Sequence, residues 1–268
     1  MSAQLAKSHQ PASPAALPAG RHERRPKRAF GGIDLGTNNC RMLVGTPTAS
    51  GFQVTDSFSR VVRLGEGLYE TGRLSEAAMQ RAINALKICA ERARRWQIGG
   101  HTGPATLRAI ATEACRQAEN GVEFVARAIA ETGLKLDIIT PREEAELVLE
   151  SCTSLICKTG RRALLFDIGG GSTEIAWVRV NCDGSAPHLI GYVSIPVGVV
   201  TLTERCANAC YTEAGFGRVV EDVGDRPLQV PQRVADRHQT AERGIAVHVG
   251  IAGAPGGAVF RVQPDDPL

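Results

Sequence analysis

From Ala29 onward, apolar residues fall into short runs that end at glycines, alternating with longer stretches in which they recur every third or fourth position. "AFGGIDLG" reads as a buried strand ending in a Gly turn, and "NCRMLVGTP" as the antiparallel strand returning from it. "GFQVTDSFSR" and "VVRL" continue as strands. "LSEAAMQRAINALKICAERARRW" has a helical period: Ser75 is placed to cap it, and Leu86, Cys89, Ala90 and Ala93 share one face. "TLRAIAT" predicts a strand, "NGVEFVARAIAETG" a helix closed by Gly133, and "LKLDIIT" another strand. Pro141 opens a further helix, "REEAELVLESCTSLI", since proline suits the first helical turn.

After "KTGRR" the opening pattern returns. "ALLFDIGGGS" is a second apolar strand ending in an acidic residue and a Gly turn, and "TEIAWVRV" is a second returning strand. Asp34 and Asp167 head the two copies, 133 residues apart. A repeat of that size implies two similar α/β halves facing one another, not a solenoid. The chain therefore divides into a tail (1–28), a first α/β domain (29–140), a second domain (141–223), and a divergent segment (224–268). That last segment holds one aromatic residue, Phe260, no lysine, and prolines at 227, 231, 255, 264 and 267. "IAVHVGIAGAPGG" is its one weak strand signal, and its composition reads as poorly ordered.

Composition changes this picture little. The chain has 268 residues, 43% hydrophobic and 22% charged, ordinary values for a globular protein with a sizeable core. The net charge of +3 is too small to argue for a nucleic-acid partner, and much of the excess sits in "RHERRPKR", at the end of a Pro- and Ala-rich leader. That leader has no continuous apolar run, so it reads as a solvated, disordered tail and not a signal peptide, and no stretch approaches membrane-spanning length. The eight cysteines form no C-x-x-C pair and read as reduced core residues, and the six histidines lack metal-ligand spacing. The expected compartment is the cytoplasm.

"FDIGGGSTEI" carries the chemistry. Glycine weakens both strands and helices, so three in a row need a purpose, and one is close approach of backbone N–H groups to an anion. Hydroxyls of Ser172, Thr173 and Thr37 can add donors, and two such turns across a cleft would grip a phosphate chain from both sides. A single Gly turn of this kind is usually just a hairpin; the matched pair is what raises it to a candidate site. Asp34 and Asp167 would repel those phosphates unless a Mg²⁺ ion bridged carboxylate and phosphate oxygens, with Glu174 helping to hold it. The plainer alternative makes the aspartates turn formers and Glu174 a strand-surface carboxylate. Glu143 and Glu144, in the first turn of a helix, suit the helix dipole, but at the cleft one of them could deprotonate a water for in-line attack. Arg116, in "ATEACRQAEN", can balance phosphate charge or lie on the surface.

Taken together, "GGIDLGTNNCRMLV", "LRAIATEACRQAEN", "IITPREEAELV" and "LLFDIGGGSTEIAWV" resemble the Ppx/GppA family of exopolyphosphatases and guanosine pentaphosphate phosphatases. The likeness runs from about Ala29 to about Val223. It implies the duplicated α/β fold of the actin, Hsp70 and sugar kinase superfamily (RNase H-like domains). It also implies Mg²⁺-dependent removal of the terminal phosphate of polyphosphate or of the 5′-phosphate of guanosine pentaphosphate. By this resemblance Glu144 is the catalytic base, and Asp167 and Glu174 hold the metal. Gly169, Gly170, Gly171, Ser172 and Thr173 line one phosphate loop, and Asp34, Gly36, Thr37 and Asn38 the other, with Arg116 near the phosphates. No nucleic acid or membrane partner is implied, and a homodimer stays open. The likeness stops within "GRVVEDVGDRP", and the family's further Gly-Ser-Gly-Thr-type loop does not follow, which implies a truncated or frame-shifted, incomplete second domain. Two other classes remain: a nucleotide-binding ATPase or kinase of the same fold, and a non-catalytic remnant that binds phosphate chains.

Overall fold

The computed structural model describes residues 28–49, 51–99, 106–156, 161–181, 183, 185–206, 212–214 and 217, and the backbone of 246–250 and 258–261. Its opening strands follow from the apolar pattern. β1 (Phe30–Leu35) pairs antiparallel with β2 (Asn39–Thr48), which pairs antiparallel with β3 (Gly51–Val61). The expected fourth strand, "VVRL", does not form. Its first residue ends β3, and the rest turns inward, with Arg63 at φ 47. The Val62 and Arg63 amides both donate to the Asn38 carbonyl, at 2.8 and 2.9 Å, so this stretch wraps the first turn and does not add to the sheet.

A short helix, α1 (Leu68–Thr71), follows between Gly67 and Gly72, both in the left-handed region that glycine tolerates. In α2 (Glu76–Arg95), Ser75 Oγ accepts from the Ala78 amide at 3.2 Å, as the capping pattern predicts. Its buried face includes Ala82, Ile83, Leu86, Cys89, Ala90 and Ala93. β4 (Leu107–Ala111) pairs parallel to β1, and β5 (Leu136–Ile138) parallel to β4, giving the order β3-β2-β1-β4-β5. Between them lie α3 (Glu113–Gln117) and α4 (Gly121–Thr132), the latter closed by Gly133 at φ 72. Leu35, Val44, Leu64, Ile83, Leu86 and Phe124 are wholly buried in one core between this sheet and α2 and α4.

α5 (Pro141–Cys152) begins with proline in its first turn, and Thr140 Oγ1 accepts from the Glu143 amide at 3.2 Å. It packs on a second sheet through Leu149 and Cys152. That sheet repeats the first: β6 (Arg162–Ile168), β7 (Thr173–Arg179) and β8 (His188–Ile195) form the antiparallel meander. An eight-residue helix, α6 (Val199–Cys206), follows. Two pieces of the C-terminal segment are strands of this sheet. β9 (Ala246–Gly250) pairs parallel to β6, and β10 (Ala258–Arg261) antiparallel to β9, giving the order β10-β9-β6-β7-β8. The remainder of 224–268, and the basic leader up to residue 27, were expected to be poorly ordered and lie outside the described residues. Cys40, Cys89, Cys115 and Cys152 are buried thiols, in keeping with their reading as core residues.

Candidate active site

The two Asp-Gly turns close in the same way. The Gly36 amide donates to the Asn39 carbonyl and the Gly169 amide to the Ser172 carbonyl, each at 2.9 Å. They also meet. A Cβ on Gly171 would stand 2.6 Å from Thr37 Oγ1, and one on Gly170 would stand 3.2 Å from both Thr37 Cβ and Asn38 Cβ. Side chains are absent from this run because two loops from opposite halves pack backbone to side chain at that point. Thr37 and Ser172 are accordingly buried, at 5% and 3% exposure. Gly65 and Gly198, which sequence reasoning passed over, belong to the same packing. A Cβ on Gly65 would strike Thr37 Cγ2, and one on Gly198 would lie 2.5 Å from the Gly169 carbonyl oxygen.

Around this junction stand four carboxylates. Asp34, on β1, is cross-strand partner to Arg41; Asp167, on β6, is cross-strand partner to Glu174 on β7. Burial raises the pKa of Asp34, opposed by the Arg41 charge. Burial, then the charges of Glu174 and Asp34, pushes Asp167 up to about 7. Burial, then the Glu144 charge, pushes Glu174 up to about 7, although it is hydrogen-bonded by Ser172 and by Ser194 Oγ at 2.7 Å. Glu144, in the first turn of α5, is likewise raised by burial, against the pull of Arg116.

The two glutamates of "REEA" part company. Glu143 is exposed and pairs with Arg108. Glu144 keeps 17% side-chain exposure and faces inward, its Oε2 2.8 Å from Arg116 Nη2. Arg116 is committed on every side: to Glu113 Oε2 at 2.7 and 3.0 Å, to the Ile139 carbonyl at 2.9 Å, and to Glu144. Glu113, buried and also held by Gln117 at 2.8 Å, is the anchor that sequence reading missed, because an acidic residue in a first turn looks like dipole matching. Thr173 departs from its expected role in one respect: its hydroxyl donates to the Val197 carbonyl at 2.7 Å.

Asp167 and Glu174 fit a hard cation. They are adjacent, half-buried to buried, and their mutual repulsion calls for a counter-charge. Among the described residues no three His, Cys, Asp or Glu side chains form a closed metal cage. A pair of carboxylates with open positions suits Mg²⁺, which keeps waters and phosphate oxygens in its shell. Beside the junction lies a cleft of about 320 Å³ bounded by Thr37, Gly65, Tyr69, Gly171, Thr201 and Arg205.

Paired strand–turn–strand hairpins on two sheets, each headed by an aspartate, define an actin/Hsp70-like α/β protein. A sequence model of the Ppx/GppA phosphatase family matches residues 44–235, and the chain belongs to that family. It is similar to the crystal structure of an exopolyphosphatase-like protein (30% identity, TM-score 0.63), covering 82% of this chain and 65% of that one. It is also similar to the Ppx/GppA enzyme of Aquifex aeolicus (26%, TM-score 0.56), covering 75% of this chain and 65% of that one. An exopolyphosphatase of Cytophaga hutchinsonii shares the fold at 23% identity and a TM-score of 0.59, covering 73% of this chain and 61% of that one. The chain therefore spans just under two thirds of the length of these relatives. No helix among the described residues is long and apolar enough to cross a membrane.

Proposed function

We propose that this chain is a hydrolase that removes the terminal phosphate from inorganic polyphosphate. The observation that carries the reading is the inward-facing Glu144, set beside Asp34, Asp167 and Glu174 where two glycine loops meet. Glu144 takes the proton from the attacking water. Arg116 keeps its carboxylate charged despite burial, and burial beside other carboxylates makes it a stronger base than a surface glutamate. Asp34, Gly36, Thr37 and Asn38 on one side, and Gly169, Gly170, Gly171, Ser172 and Thr173 on the other, bind and align the phosphate chain. Asp167 and Glu174 would hold Mg²⁺, which supplies charge neutralisation for the phosphoryl group.

A second substrate is favoured by a separate observation. The cleft beside the loops is walled by Leu68, Tyr69, Ala114 and Pro196 as well as by polar groups, and such a wall suits an organic body attached to phosphates. Guanosine pentaphosphate has that form. The test measures phosphate release by the purified chain with long polyphosphate and Mg²⁺, with guanosine pentaphosphate and ATP in parallel. Release from polyphosphate supports the first reading. Release from guanosine pentaphosphate alone supports the second, and turnover of ATP alone would replace both with a nucleotide-binding ATPase.

A further inference from the structure

α6 touches both halves of the molecule. At its start, the amides of Val199 and Val200 donate to the carbonyls of Gly169 and Gly170, at 3.0 and 2.8 Å. The Thr201 hydroxyl locks this end by bonding to Gly198 at 2.7 and 3.0 Å. One turn later the helix reaches the first half. Glu204 Oε1 accepts from the Gly67 amide at 3.0 Å, and the Arg205 guanidinium lies 4.4 Å from the centre of the Tyr69 ring. The Gly67 turn is tied back to the first loop, since the Leu68 amide donates to Gly65 and the Gly65 amide to Thr37, at 3.1 and 3.0 Å. Because Gly171 packs on Thr37, these contacts close a ring around the 320 Å³ cleft.

We propose that α6 is a strut between the halves, and that Glu204 and Arg205 are positioning residues that set the spacing of the two phosphate loops. They act through the Gly67–Tyr69 turn, which both contact directly. Glu204 Oε2 is buried and accepts no hydrogen bond among the described residues, so the tie to the Gly67 amide is carried by Oε1 alone.

The kinetic consequence rests on the hydrolase reading, whereas the structural one does not. Amide exchange of the full chain is therefore measured first. In Glu204→Ala, exchange should rise at Gly67 and, across the cleft, in the peptide spanning Gly169–Ser172. Glu204→Gln keeps an accepting oxygen and should restore both, and Thr203→Ala, on the exposed side of α6, should change neither. Should Glu204→Ala fail to fold, Tyr69→Leu removes the ring face while keeping bulk, and should raise exchange at the same loop. With polyphosphate and Mg²⁺, Glu204→Ala should raise KM roughly ten-fold, the scale of one charge-assisted hydrogen bond, and leave kcat within about two-fold. Faster exchange at Gly67 with no change at Gly169–Ser172 would overturn the proposal, as would a fall in kcat at constant KM. Coupled exchange in a chain that releases no phosphate would overturn the hydrolase reading and leave the strut standing.

Discussion

The two hairpins share a backbone and differ in charge. Each ends in an aspartate one residue from the strand end, and each closes with the same glycine-to-carbonyl bond. At the position opposite the aspartate, β2 carries Arg41 and β7 carries Glu174. The first hairpin thus brings its own counter-ion, while the second sets two carboxylates side by side with no basic partner across the strand. Duplicated geometry has been given unequal electrostatics, and on the proposed hydrolase reading the arm with its own arginine aligns phosphate while the doubly acidic arm recruits a cation.

The sharpest break in this comparison is at the helix that joins the halves. Glu144→Gln keeps size and hydrogen bonding but removes the proton acceptor, so phosphate release should fall by roughly two to four orders of magnitude. Glu143→Gln, exposed one residue away, should leave release unchanged. Equal rates for both variants in a phosphate-release assay would remove Glu144 from the mechanism.

Next come the aspartates themselves. Asp167→Asn removes one of the paired carboxylates and should raise the Mg²⁺ concentration needed for half-maximal release by roughly ten-fold or more. Asp34→Asn, opposite Arg41, should shift that requirement far less and leave polyphosphate binding equal or tighter, because one negative charge beside the phosphates is gone. Matching shifts from both variants in a Mg²⁺ titration would mean that the hairpins share the cation equally.

The glycines offer a test that needs no catalysis. Gly171→Ala would press into Thr37 of the facing loop, and such overpacking should cost about 1–3 kcal/mol in denaturant unfolding. Gly36→Ala meets nothing closer than the Asn39 carbonyl at 3.5 Å and should cost less than about 1 kcal/mol. If both lose stability alike, close approach is not what keeps the triplet free of side chains.

The smallest effect separates local from functional cost. Ser75 and Thr140 cap their helices with the same 3.2 Å bond, so alanine at either should cost about 1 kcal/mol in thermal unfolding. Only Thr140→Ala disturbs the turn that carries Glu144, so only it should also slow phosphate release.

Much of this was readable from the chain because the hairpins are local. An apolar strand, an aspartate, a glycine turn and a returning strand are contiguous in sequence, and both copies form as the pattern implies. So do α2 with its Ser75 cap and α4 with its Gly133 stop. The misses share a cause. "VVRL" has strand composition, but its amides are claimed by the Asn38 carbonyl, a tertiary bond with no local signature. α6 and β8 left no strong period, and Gly65 and Gly198 matter only through what approaches them from elsewhere in the chain. At the site, Glu144 and Glu143 are equivalent by sequence pattern, and the family resemblance chose between them. Adjacent helical positions point in different directions, so Glu143 turns out to Arg108 and Glu144 turns in to Arg116, which is itself held by a Glu113 that looked like an ordinary first-turn acid.

The wrap of 62–65 around the first turn has an evolutionary consequence. Its grip on Thr37 and Asn38 is made by the main-chain amides of Val62, Arg63 and Gly65, not by side chains. Outward-facing Arg63 can drift to many residues without loosening the turn, and glycine would even relieve its positive φ. Proline at 62 or 63 would delete a donor outright, and a one-residue insertion would put every amide out of phase with its acceptor. Selection should therefore leave position 63 free to vary in letter while holding the spacing, with Val62 and Leu64 fixed by burial and Gly65 by its close approach to Thr37.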